Sequence, residues 1–228
     1  MNFLSHFYFE RYASESARVV GCLLPDLLKN ADKGYVFHPN RFEEQLFIHP
    51  LMVEIYQGWY RHVEVDKIFH SSPFFLEHNH ELRKQLDPIL SHLPIRASFM
   101  GHISLELLLD HLLIKHQMVN VTRLYEHLEQ MNRTILKRFL EIIGLHDTTK
   151  FFLFYDRFLE WKYVHEYANL RGLTVPLFNI AKRLWAFEVS EEAHQALADQ
   201  LAHYETASLG GFRDIFRDVQ NQLTVYPG

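Results

Sequence analysis

Residues 105–113 read Leu105-Glu106-Leu107-Leu108-Leu109-Asp110-His111-Leu112-Leu113. Leu105, Leu108, Leu109, Leu112 and Leu113 share one side of a helix, because positions three and four apart lie on the same face. The spacing predicts a leucine-rich helix in the segment that follows Pro94. Two carboxylates and a histidine interrupt it. Ionised carboxylates rarely lie on a buried helix unless they are paired or bound to metal.

The same period extends outward in both directions. Ser14 and Ser16 precede apolar residues at 17, 19, 20, 23, 24, 27 and 28, a helical pattern with plausible N-caps, and Pro25 is predicted to kink or split that helix. A short helix is expected over residues 41–48, and Pro50 suits the first turn of a longer one whose apolar face is Met52, Ile55, Tyr56, Trp59, Tyr60 and Val63. Ser71-Ser72-Pro73 should stop it, with Pro73 opening the next helix through about Leu86. Downstream, one stripe from Val121 through Leu124, Leu128, Met131, Ile135, Leu136, Phe139 and Ile142 should end at Gly144. Asp147-Thr148-Thr149 can cap a helix bearing Phe151, Phe154, Phe158 and Trp161, broken at Gly172. Thr174 opens a helix to about Phe187, and Ser190 caps a last long one, interrupted at Gly210-Gly211. Every strong period is near 3.6, and no repeat or linker breaks the chain. The expected fold is all-α, one helical bundle over residues 1–228.

Composition agrees. The chain has 228 residues, 48% hydrophobic and 14% aromatic, enough to form a core, while 9 Gly and 8 Pro leave little turn material for many short strands. A formal charge of −5 gives no electrostatic reason to expect nucleic acid. Cys22 is the single cysteine, so an internal disulfide is impossible and a thiolate metal cage is excluded. The opening residues lack a basic stretch, and no run approaches the roughly 18 apolar residues of a membrane span, so the expected location is cytoplasmic, with no membrane partner. The 16 histidines permit metal chemistry; spacing must decide which matter.

Three polar sets interrupt the apolar faces. His62, Asp66 and His70 are four apart, so one stripe presents imidazole, carboxylate and imidazole, the ligand types a borderline divalent ion accepts. A solvated helix edge gives the same pattern. His102, Glu106, Asp110 and His111 form the second set. Glu106 and Asp110 share a face and repel unless a cation lies between them. His111 is about 100° round from Asp110. An exposed acidic face beside a core histidine explains this set equally. The third is His6 with Asp26, which follows Pro25 and could be aimed inward by a broken helix.

Four blocks together carry a resemblance. Asn2-Phe3-Leu4-Ser5-His6, Gly21-Cys22-Leu23-Leu24-Pro25-Asp26, His62-x3-Asp66-x3-His70-x2-Pro73 and Leu105-Glu106-x3-Asp110-His111-x-Leu113 resemble, in order and approximate spacing, segments of the acyl carrier protein phosphodiesterase family. The resemblance covers roughly residues 1 to 117, with a weaker echo from Trp161 to Arg183. The family is related to the all-helical HD-type metal-dependent phosphohydrolases. The resemblance implies an HD-phosphohydrolase-like fold and hydrolysis of the phosphodiester joining phosphopantetheine to a serine of holo-acyl carrier protein, with Mn²⁺ or Mg²⁺. It implies metal ligation by Asp26, His62, Asp66, Asp110 and His111. Asp66, Asp110 and His111 would serve in catalysis, with His6, His70 and Glu106 as further cofactor-binding positions.

Cys22, Pro25, His70 and Glu106 depart from the family's Asn, Ala, Asp and Asp. His70 lowers the negative charge and favours a softer ion than Mg²⁺. An HD-like hydrolase of a small phosphoester or nucleotide, and a non-catalytic helical binding protein, are the competing readings. An acidic carrier protein would dock on positive side chains, for which Arg133, Lys137 and Arg138, or Lys182 and Arg183, are candidates.

Overall fold

The structure is a computed structural model that describes residues 1–223. In chain order the helices are α1 (Phe3–Glu10), α2 (Ser16–Ala31), α3 (Glu43–Leu46), α4 (Pro50–Ser71), α5 (Pro73–Leu90), α6 (Ala97–Lys115), α7 (Val121–Gln130), α8 (Arg133–Ile142), α9 (Thr149–Trp161), α10 (Thr174–Lys182), α11 (Glu191–Ser208) and α12 (Arg213–Gln222). Short 3-10 turns cover Pro39–Phe42, Tyr163–Ala168 and Leu170–Leu173, and no strand occurs among the described residues. The fold is all-α.

Most of the punctuation behaves as its chemistry requires. Ser72 accepts from Phe75 N at 3.1 Å, and Pro73 begins α5 where its missing N–H costs nothing. Gly144, at φ +105, ends α8: its N–H bonds Glu141 O at 3.1 Å and Leu145 N bonds Leu140 O at 2.9 Å, the paired bonds that close a helix with a left-handed residue. Ser190 accepts from Ala193 N at 3.3 Å to open α11.

Several expected boundaries are corrected. α2 runs unbroken through Pro25 instead of splitting. Buried residues flank the proline on both sides (Leu23 and Leu24 before it, Leu27 and Leu28 after it), and their burial outweighs the roughly 3 kcal/mol such a proline costs. α5 likewise continues past Leu86 to Leu90 with Pro88 inside it. The stripe after Val121 divides into α7 and α8, because Asn132 takes extended backbone angles and accepts from Ile135 N at 3.1 Å; an asparagine satisfies a new helix start better than a helix interior. α9 ends at Trp161, with Lys162 left-handed at φ 47, well before Gly172. α10 stops at Lys182 instead of near Phe187. α1 was not marked by any pattern in the sequence.

Two compact units interleave along the chain. One is formed by Met1–Ser5, Lys67–Met118 and His165–Gln222. Within it α5 lies along α6, and Gly101 permits the approach: a Cβ there would sit 3.2 Å from Asn79 O and 3.0 Å from Arg83 N. Leu82 and Leu86 of α5, Leu105, Leu108 and Leu109 of α6, Leu177 of α10 and Leu201 of α11 are among its buried residues. Contrary to expectation, α6, at 19 residues, is long and apolar enough to cross a membrane, but most of it is buried in protein, as in a core helix.

The other unit is formed by His6–Asp66, Val119–Val164 and Leu223. Here α2 packs on α7 and α9. α2 also meets α4 at two glycines: a Cβ on Gly21 would fall 2.1 Å from Ile55 O, and one on Gly58 would fall 2.2 Å from Arg18 O. Only hydrogen fits between backbones this close. That contact places the end of the Gly21-Cys22 segment against the side of α4 that carries His62.

Candidate functional site

His62 is buried on α4, and its Nδ1 lies 2.9 Å from the carbonyl oxygen of Cys22. A carbonyl only accepts, so Nδ1 carries the hydrogen and Nε2 keeps its lone pair. Burial, followed by the charge of nearby His6, pushes the His62 pKa well below the ordinary histidine value, which keeps the ring neutral. Its Nε2 faces Asp66 Oδ2 at 3.5 Å. The other carboxylate oxygen, Oδ1, is 3.3 Å from His6 Nε2, and the His6 ring stacks on His62 with centroids 3.7 Å apart. Burial tends to raise the Asp66 pKa, but the hydrogen bond from His6 and nearby positive charge hold it below the usual carboxylate range. A neutral imidazole lone pair facing an ionised carboxylate places two electron-rich atoms together, an arrangement that a cation between them relieves. One ligand atom from each of His6, His62 and Asp66 lies within 4.8 Å of the others.

A second group forms in the other unit. His70 Nε2 and His102 Nε2 are 3.1 Å and 3.0 Å from Glu106 Oε1. Burial opposes ionisation of Glu106, yet the amino group of Met1 and the hydrogen bonds from His102 and His70 hold its pKa well below the ordinary value. The His62-Asp66-His70 stripe of the sequence therefore supplies His62 and Asp66 to one group and His70 to another.

Asp110 and His111 belong to neither group. Asp110 is fully buried and accepts from Leu4 N at 3.0 Å through Oδ2, and from Ser5 N at 2.8 Å and Ser5 Oγ at 2.6 Å through Oδ1. It satisfies backbone donors that the first turn of α1 leaves open. Burial pushes its pKa up to about 7 against the pull of these bonds. His111 Nδ1 lies 2.8 Å from the carbonyl of Tyr167, and burial lowers its pKa. Asp26 is half-buried on α2 and also lies outside both groups.

Four partners lie outside the site residues that the sequence predicts. Ser5 was read only as part of a block, His102 only as a member of its stripe, and the Cys22 and Tyr167 carbonyls leave no trace in a sequence. His102 alone had a usable signal, its position four residues before Glu106. The first expected cluster of docking cations is offset locally. Arg133 pairs with Asp156, Nη2 to Oδ2 at 3.2 Å, while Lys137 and Arg138 lie 3.9 Å and 3.7 Å from Glu141.

A family model described as acyl carrier protein phosphodiesterase matches residues 1–219, which extends the likeness well beyond the N-terminal half. No curated protein and no solved structure matches this chain.

Proposed function

The chain belongs to the acyl carrier protein phosphodiesterase family, and on that premise we propose that it hydrolyses the phosphodiester between phosphopantetheine and a carrier-protein serine, using a divalent ion held by His6, His62 and Asp66. The observation that carries the reading is the tautomer of His62. With Nδ1 bonded to the Cys22 carbonyl, Nε2 is presented as a fixed lone pair toward Asp66.

The donor set fits such an ion. Two imidazoles and one carboxylate suit Mn²⁺ better than Mg²⁺, which prefers oxygen ligands. When bound, the ion would supply Lewis acidity toward the phosphoryl oxygens and acidify water. The Cys22 carbonyl fixes the His62 ring, as partners behind metal-ligating histidines commonly do. Asp66, held ionised, is suited to ligation more than to taking up a proton near neutral pH. Asp110, the sequence's catalytic candidate, secures the first turn of α1 through Leu4 and Ser5. The acidic carrier protein is the substrate this reading requires.

The test is metal analysis of the purified protein together with conversion of holo- to apo-carrier protein. Wild type should retain divalent metal and release phosphopantetheine, and His62→Ala or Asp66→Asn should lose turnover together with one equivalent of metal relative to wild type. Full turnover in His62→Ala, or a metal-free wild type that leaves holo-carrier intact, would overturn the reading.

A further inference from the structure

We propose that His70, His102 and Glu106 form a second cation site, a two-histidine, one-carboxylate centre selective for a borderline transition ion such as Zn²⁺ over Mg²⁺. It lies in the unit that contains α6, and it stands whether or not the His6–His62–Asp66 group holds an ion.

The geometry is convergent. His102 and Glu106 are one helical turn apart on α6, and His70 reaches the same carboxylate from the end of α4. Both imidazoles direct Nε2 to a single oxygen, at 3.1 Å and 3.0 Å, and one ligand atom from each residue lies within 4.8 Å of the others. Phe75 holds the two rings in place: its centroid is 4.8 Å from that of His70 and 4.9 Å from that of His102, in edge contact with each. Phe69 packs on Phe75 at 5.0 Å and extends this apolar wall. Ligand rings fixed by a surrounding shell are what a preorganised metal site needs.

Access and charge also fit. The Glu106 side chain is 14% exposed, whereas His70 and His102 are 31% and 39% exposed, so the carboxylate forms the floor and the imidazoles the rim. Three protein ligands with an open side leave positions for water. The Met1 amino group is also 3.1 Å from Glu106 Oε1, and an entering cation competes with it for that oxygen. Imidazole nitrogens favour zinc-like ions, while Mg²⁺ keeps to oxygen. This makes the expected selectivity specific to the two histidines.

Zn²⁺ titration of the metal-stripped full-length protein, followed by calorimetry, tests the site. His62→Ala should keep one tight Zn²⁺ equivalent, and His102→Gln and His70→Asn should each weaken that equivalent at least about 10-fold. Mg²⁺ at millimolar concentration should not displace it. Co²⁺ loaded into His62→Ala should give visible absorption that His102→Gln removes, with helical circular dichroism unchanged. A His62→Ala protein that binds no Zn²⁺ tightly overturns the proposal without reference to any variant of this site. So does a His102→Gln protein that binds as His62→Ala does, and neither result bears on carrier-protein hydrolysis. Conversely, loss of hydrolysis in His62→Ala with its Zn²⁺ equivalent intact supports two separable centres.

Discussion

The imidazoles of His6 and His62 lie stacked 15° from parallel, with ring centroids 3.7 Å apart, and both reach the carboxylate of Asp66. One ring comes from α1 and the other from α4, so each limits the orientation of its neighbour. His6→Ala should remove both the stacking partner and the hydrogen bond to Asp66. The expected result is divalent-ion binding weakened by about 10–100-fold, read by calorimetry at constant helicity. Undiminished affinity would show that His6 is a bystander.

Stability should fall on the acid side. Folded His62 resists protonation because it is buried, while the unfolded chain takes up the proton near about 6.5. A depressed folded pKa gives stability that is full above the unfolded value and lost as pH falls below it. Urea midpoints between pH 8 and 5 should therefore decline in wild type, and His62→Gln should flatten the slope. A parallel decline in the variant would assign the effect to other groups.

The Asp110 anchor runs the other way. Its folded pKa of about 7 lies above the ordinary value, so its contribution is full below about pH 4 and lost as pH rises through 7. The stability difference between wild type and Asp110→Asn should narrow over that range. At fixed low pH, Asp110→Ala leaves Leu4 N, Ser5 N and Ser5 Oγ without their acceptor and should cost about 2–4 kcal/mol, against about 1 kcal/mol for Ser5→Ala. Equal losses would show that the backbone bonds contribute little.

Gly58→Ala should be among the most damaging small substitutions. The added Cβ would stand 2.2 Å from Arg18 O and 2.6 Å from Cys22 N, both backbone atoms. Separating α2 from α4 should cost about 1–3 kcal/mol or more, seen as a lowered Tm, and should disturb the His62–Cys22 bond as well. Gly210→Ala, where the added atom meets nothing within 4 Å, is the control. Matching Tm values would contradict the close approach.

Cys22 should be chemically silent in the native protein. Its side chain is 0% exposed, its thiol lies 3.4 Å from His6 O, and burial pushes its pKa well above the usual thiol range. Disulfide-exchange reagents at pH 8 should label it only after denaturant is added. Rapid native labelling would refute the burial.

What could be read directly from the residues was local. The period of Leu105 to Leu113 announced a buried helix, Pro50 and Pro73 marked helix starts, and Gly144 marked a stop, because these depend on neighbours within one or two turns. Four ordered blocks also pointed to the family, and the family match extends over residues 1–219. Local signals misjudged Pro25, since the packing that keeps α2 whole comes from other helices. They could not divide the stripe His62, Asp66 and His70, because helical spacing gives a common face and says nothing about the partner each side chain meets. Tertiary structure alone decided that His62 meets a carbonyl and His6, that His70 meets Glu106 and His102, and that Asp110 secures the first turn of α1. The physical reason is that ligation and hydrogen bonding act over about 3 Å between residues that can be more than a hundred positions apart, a distance that only the folded chain defines.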